Sequence, residues 1–329
     1  MRNFFQSHWK VIVALLLLIV VAVLTVSPSS TSAAPAPDLA GRLRMHVSAI
    51  ASQEHNTATP LALERAASYI ETALTGAGYT PKRQEYAAGG QRVRNIEVAV
   101  GNVAQGKRPE RIFIVGAHYD SAPGAPGAND NGSGTAAVLE LARMLKTVQL
   151  GAGTELRFVL FVNEEPPYFM GEEMGSMVHA AELKRQGQNV QAALVLETMG
   201  YYTDKPRSQQ LPPGLEGRYP STGNFIAFVG TLESSGLVRE ALAAFRAASD
   251  FPAEGLAAPA HTTGVTLSDH SSYNRHGYPA LMITDTAFMR YPYYHTAQDT
   301  PDKLDYESMA RVVNGLAKTI VALAGAKQG

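Results

Sequence analysis

Apolar and polar positions along the chain fall into two rhythms. Over 38–55, Leu39, Leu43, Val47 and Ile50 recur at helical spacing. Thr59-Pro60 opens a second helix, because Thr caps and Pro suits a first turn. That helix runs to about Leu74 and stops at Gly76-Ala77-Gly78. Strands are predicted over 79–87 and 93–100, the latter through Ile96, Val98 and Val100. Largely apolar segments at 111–117, 156–162, 192–196, 225–229 and 280–284, the first with its apolar run over 112–115, read as buried strands. Between and after them the spacing predicts helices over 134–148, 175–186, 237–248 and 303–325, the last capped near Thr300. Strands alternating with helices indicate an α/β/α arrangement: a mixed, mainly parallel sheet covered on both faces, in a single domain over 37–329. Residues 201–223 and 250–268 have loop composition and predict insertions over a site.

The N-terminus follows neither rhythm. Residues 11–26 are an unbroken apolar run preceded by Arg2 and Lys10, and 27–37 is rich in Ser, Ala and Pro. This is the layout of a secretory leader. The run is slightly short of the roughly 20 residues that a spanning helix needs. A signal peptide cleaved near Ala33 or Ala34 and a retained membrane anchor over 1–36 therefore both stay open. Positive residues before the run place the rest outside the cytoplasm in either case: periplasmic, secreted or membrane-anchored.

Composition narrows the chemistry. Lys+Arg is 28 against 29 Asp+Glu in 329 residues, a net charge of -1, and no basic stripe stands out, which argues against nucleic acid as a partner. Cysteine is absent, so there is no disulfide framework and no thiolate nucleophile. Any transition metal has to be held by His, Asp and Glu. Asn-Gly-Ser-Gly around Ser133 is not the G-x-S-x-G nucleophile elbow of serine hydrolases.

Residues of those three types gather where strands are predicted to end. His118 and Asp120 follow the 111–117 run, with Asp130 in the Gly/Ala/Pro loop beyond it. Glu164 and Glu165 follow 156–162, Glu197 follows 192–196, and His295 comes after 280–284. Ligands of open α/β sheets bind outside the carboxyl ends of strands. Several carboxylates withdrawn from water at one sheet edge are costly without a compensating cation. Two divalent cations would remove that cost.

The ordered motifs His-Tyr-Asp, Asp130 twelve residues after His118 in Asn-Asp-Asn-Gly-Ser-Gly, Asn-Glu-Glu, Leu-Glu-Thr-Met-Gly, Ser-Asp-His-Ser-Ser-Tyr and Tyr-His-Thr-Ala-Gln-Asp-Thr resemble the co-catalytic zinc exopeptidases of clan MH. That group spans bacterial leucyl aminopeptidases, glutaminyl cyclases and transferrin-receptor-like ectodomains, and the resemblance covers roughly residues 40–326. It implies a single zinc-exopeptidase domain with two Zn2+ per chain and a peptide substrate. His118 and Glu197 would bind one ion, Glu165 and His295 the other, and Asp130 would bridge them. Glu164 would be the general base, taking a proton from the attacking water and passing it to the leaving amine. Asp120 would accept from the second nitrogen of His118. Tyr294 would donate to the oxyanion. Asp269 and His270 belong to the pattern without a ligand role. The Asp130–Asn131 peptide is expected to be cis.

The resemblance favours an aminopeptidase, with glutaminyl cyclase, carboxypeptidase and an inactive receptor-like ectodomain as alternatives. The sequence departs from the family where Pro-Pro-Tyr-Phe-Met-Gly follows Glu165. This stretch is expected to shape the substrate pocket. Glu172 and Glu173 repeat the Glu-Glu pair but rank below Glu164 and Glu165, which directly follow a strand.

Overall fold

A computed structural model describes residues 37–325. The leader or anchor read over 1–36 lies outside the described residues. In chain order the elements are α1 (Pro37–Ile50), α2 (Pro60–Gly76), β1 (Lys82–Ala88), β2 (Gln91–Gly101), β3 (Arg111–His118), α3 (Gly134–Met144), β4 (Thr154–Phe161) and α4 (Gly175–Arg185). They continue with β5 (Val190–Glu197), β6 (Ile226–Thr231), α5 (Ser235–Ala248), β7 (Ala253–Ala258), α6 (His270–Arg275), β8 (Ala280–Thr284) and α7 (Tyr306–Leu323).

One 8-stranded sheet has the order β1-β2-β4-β3-β5-β8-β6-β7. The four central strands β4, β3, β5 and β8 are mutually parallel. Antiparallel pairing joins β2 to β4, β1 to β2 and β6 to β8, so the sheet is mixed. Side chains alternate between its faces, as strand geometry requires. Val115, Ala117, Leu156, Phe158, Leu160, Leu194 and Leu196 meet α1, α2, α3, α5 and α7 on one face. Ile112, Ile114, Val159, Phe161 and Ala193 meet α4 and α6 on the other. This is the expected three-layer α/β/α arrangement. Among the described residues no helix is long and apolar enough to cross a membrane.

Three expectations change. The segment read as loop over 250–268 contains β7, which lacks a strand signature (Ala-Glu-Gly-Leu-Ala-Ala) and is held by its parallel pairing with β6. The six-residue α6 went unpredicted because it is too short to show periodicity. The closing helix begins at Tyr306 rather than 303. Asp305 caps it, accepting from the Ser308 amide at 3.0 Å, while Pro301–Lys303 forms a separate 3-10 turn after Thr300.

Leu160 on β4 is fully buried in the larger core cluster. Leu160→Ala is expected to cost about 2–5 kcal/mol of unfolding free energy through lost burial and a residual cavity. The readout is a lower denaturant midpoint at unchanged slope, and a shift under a tenth of that size would contradict the packing described.

Candidate metal centre

The carboxyl ends of the parallel strands β3, β4 and β5 lie along one edge of the sheet, and each delivers part of a single cluster. His118 is the last residue of β3 and is fully buried; Thr135 of α3 donates to its carbonyl at 2.7 Å. Glu164 and Glu165 sit just past β4, and Glu197 is the last residue of β5. Asn163 and Thr198 flank these carboxylates with left-handed backbones, φ 63 and 53, and His295 itself has φ 55. Such conformations in non-glycine residues are uncommon and gather at functional sites.

Asp130 sits in a wound segment, Ala128–Ser133, that leads into α3, and the Asp130–Asn131 peptide is cis as expected. Two residues hold this segment. Asp299 accepts from the Asn129 amide at 2.8 Å and the Asp130 amide at 3.2 Å, and Tyr291 donates to it at 2.7 Å. Asn131 donates to the Leu196 carbonyl at 2.8 Å and accepts from the Gly134 and Thr198 amides. Gly127 begins the turn at φ 72, where a Cβ would stand 2.6 Å from the Asp130 carbonyl oxygen.

The five residues expected to share ions converge. Asp130 Oδ1 is 3.2 Å from His118 Nε2, and its Oδ2 is 3.0 Å from His295 Nε2. Glu197 Oε2 is 3.3 Å from His118 Nε2, and Glu165 Oε1 is 3.3 Å from His295 Nε2. Glu164 Oε2 lies 3.8 Å from His118 Nε2, within the same cluster. His118 Nε2, Asp130 Oδ1 and Glu165 Oε1 are all buried without a well-formed hydrogen bond. Buried polar atoms are almost always partnered. Three orphans aimed at one another in a nitrogen-and-oxygen donor set fit divalent cations such as zinc.

The charge balance points the same way. Burial, then the neighbouring carboxylates, push Glu164 well up from its ordinary range. Burial also raises Glu197. Burial and the charge of Asp130 bring Glu165 to about 7. Asp130 is lowered instead, because its bonds to His118 and His295 outweigh its burial. For His295, burial works downward but Asp130 and Glu165 more than offset it, to about 10. With no cation, the cluster therefore retains protons where water would have taken them.

The supporting side chains divide into expected and unexpected. Asp120 does approach His118 Nδ1, but through its main-chain carbonyl at 3.1 Å, with the carboxylate at 3.5 Å. Its carboxylate oxygens instead accept from the amides of Glu164 and Glu165, at 3.1 and 3.2 Å, and so clamp that pair. Ser268 donates to Glu197 Oε2 at 2.7 Å. Tyr294 stacks on His295 with centroids 3.9 Å apart and planes at 13°. Burial and the surrounding carboxylates hold its phenol protonated, far above the usual range. Asp269 is fully buried with neither oxygen in a well-formed hydrogen bond, and burial pushes it up to about 7. His270 bonds the Val265 carbonyl at 2.7 Å, and burial lowers it to about 4. Glu172 and Glu173 are exposed, away from the cluster. Asn131, Ser268 and Asp299 also act on the cluster; each lies in one of the quoted motifs, but the motif alone assigns it no role.

A cavity of about 790 Å³, mouth included, opens beside Glu197 and Tyr294. Both expected insertions border it, through Leu211, Leu215 and Tyr219 from one and Thr263 and Leu267 from the other. The Pro-Pro-Tyr-Phe-Met stretch does not line it, contrary to expectation. Tyr168 packs against the main core, and the Met170 carbonyl accepts from Arg275 at 3.1 Å.

A family model described as Peptidase family M28 matches residues 99–320. The chain belongs to peptidase family M28. It is 41% identical to the Escherichia coli protein YfbL over 263 residues, covering 77% of this chain and 78% of that one. The LapA aminopeptidase of Legionella pneumophila superposes with a TM-score of 0.69 at 19% identity, over 87% of this chain and 72% of that one. BSAP, a zinc aminopeptidase from Bacillus subtilis, gives 0.53 at 25% identity, over 74% and 52%. This M28 chain spans about half the length of several curated aminopeptidases that it matches.

The raised acids set a pH dependence for the ion-free M28 protein. Glu165 ordinarily titrates near 4.5 and here near 7, so between those values the folded state holds more protons than the unfolded one. Stability must then fall as pH rises through that window. The upward shifts of Glu164, Glu197 and Asp269 act in the same direction and outnumber His270, whose lowered value acts the other way below about 6.5. Denaturant melts of chelated protein near the two ends of the window are expected to show the loss. Saturating zinc should restore stability at the upper end, by about 4 kcal/mol at a thousand-fold excess over its dissociation constant. Rising stability with pH in chelated protein would contradict the electrostatics described.

Proposed function

We propose that this M28 chain is a zinc-dependent aminopeptidase acting on peptides, with two ions per chain. The observation that carries it is Asp130, whose two carboxylate oxygens face two different imidazoles, each with its own further carboxylate. His118 and Glu197 would hold one ion, Glu165 and His295 the other, and Asp130 would serve both. A bound pair of zinc ions would polarise the scissile carbonyl and bring the pKa of coordinated water towards about 7.

The remaining work falls to the chain's own groups. Glu164 is beside the ligands and held by the clamp of Asp120 on its amide, so its carboxylate can take a proton from the attacking water and return it to the leaving amine. Tyr294, protonated and stacked on His295, is placed to donate to the developing oxyanion. Asp120, Asn131, Ser268 and Asp299 fix the positions of the carboxylates rather than reacting. The cavity beside Glu197 and Tyr294 offers room for the side chain of the residue being removed. The apolar run behind Arg2 and Lys10 supports action outside the cytoplasm.

Two measurements test this. Against aminoacyl anilides and blocked dipeptides, the protein should cleave only substrates with a free amino terminus, lose activity to a chelator and regain it with zinc. Cyclisation of N-terminal glutamine without hydrolysis would refute the aminopeptidase reading. Glu164→Gln should keep its zinc and lose about 10²–10⁴-fold in kcat, and near-normal turnover would remove Glu164 from the mechanism.

A further inference from the structure

The floor of the cavity is set by strand register. Glu197 of β5 pairs with Thr284 of β8, Thr284 with Ala227 of β6, and Ala227 with Glu254 of β7. All four lie on the face that also carries Met282, Val229 and Leu256, and all line the cavity. The row is thus carboxylate, threonine, alanine, carboxylate. With strands about 4.8 Å apart, three steps separate its ends by about 14 Å between backbones, less the reach of two glutamate side chains.

The middle of the row is small and polar-satisfied. Thr284 is hydrogen-bonded to Thr198 at 3.1 Å and the Thr286 amide at 2.8 Å, and Ala227 leaves the path clear. The neighbouring row, Met282, Val229 and Leu256, gives the channel an apolar flank. A leucine side chain entering beside Glu197 would end over the middle of the row. Reaching Glu254 takes a longer stem, and lysine and arginine carry three or four methylenes along apolar surface before their charge.

We propose that Glu254 selects peptides with an N-terminal lysine or arginine by receiving the cationic head at the far end of this channel. The inference rests on the aminopeptidase reading. No Lys, Arg or His lines the cavity among the described residues, so an acidic side chain reaching the far end would meet Glu254 and no cationic side chain. Arg246 approaches Glu254 from the sheet edge only at 3.4 Å, its guanidinium being taken by the Ala253 carbonyl at 2.6 Å. Both partners are partly solvent-exposed, and such pairs hold their members weakly. Arg290, buried nearby, does not line the cavity; its Nε donates to Gln209 and its Nη1 to the Phe225 carbonyl, at 2.8 Å each, while its Nη2 has no well-formed hydrogen bond.

The test compares kcat/KM on lysyl and norleucyl 4-nitroanilides, which share a stem and differ in charge, for the zinc-loaded enzyme and its Glu254→Gln variant. The unaltered enzyme should favour lysine by about ten-fold or more, the scale of a hydrogen bond to a charged group. The variant should bring the ratio close to unity, and Glu254→Lys should invert it. A merely structural role for Glu254 would lower both substrates together and leave the ratio as it was, overturning the proposal. Preference for norleucine in the unaltered enzyme would also overturn it, while leaving the aminopeptidase assignment standing. Cleavage of neither anilide would instead defeat that assignment, and this inference with it.

Discussion

The cluster turns on one carboxylate shared between two imidazoles. Asp130 is almost completely buried, yet each of its oxygens faces a different histidine at hydrogen-bond range. Around that core stand Glu164, Glu165 and Glu197, also buried. Withdrawing four acids from water into one pocket is among the costliest arrangements a protein can adopt, and protons or cations are the only means of offsetting it. Two histidines supply part of the compensation. The orphaned atoms on His118, Asp130 and Glu165 show that the side chains do not satisfy one another.

Holding that arrangement explains much of the surrounding structure. Asp120 spends its carboxylate on the amides of Glu164 and Glu165, Asp299 on those of Asn129 and Asp130, and Asn131 on β5 and the start of α3. Each is a buried polar side chain satisfied by backbone, the pattern expected where a site must be rigid before anything binds. Left-handed backbones at Asn163, Thr198 and His295 cost about 1–3 kcal/mol each. They persist because these bonds, and the sheet beneath, leave the chain no other course.

Legibility from the sequence followed the physics of each feature. The parallel core was readable because strands buried on both faces are nearly continuous apolar runs, as at 112–117 and 158–162. The converging histidines and carboxylates were readable because strand ends share one edge. What escaped was whatever long-range pairing decides. β7 is Ala-Glu-Gly-Leu-Ala-Ala, a poor strand by propensity, and exists because β6 supplies its ladder. Ser268 reaches Glu197 across 71 positions, and Asp299 reaches the Asp130 amide across 169. No local pattern announces such contacts. The Pro-Pro-Tyr-Phe-Met stretch misled because its apolar residues suggested a substrate wall, whereas Tyr168 joins the core.

The reversal between β8 and β6 then accounts for where the cavity lies. Were β6 parallel to β8, a chain leaving β5 at Glu197 would have to cross the whole domain to begin β6 at the opposite edge. Because β6 runs antiparallel to β8, it starts at the same edge where β5, β8 and their acids end. The segment 201–223 can therefore remain at that edge and fold over the sheet beside the histidine and carboxylate cluster. The same reversal sets Ala227 against Thr284, and the parallel partner β7 then sets Glu254 against Ala227. One topological choice thus places both a roof and a floor beside the cluster. A one-residue slip of β6 or β7 would turn the floor's side chains to the other face and close the channel with core residues, so strand register and cavity shape are a single property of this chain.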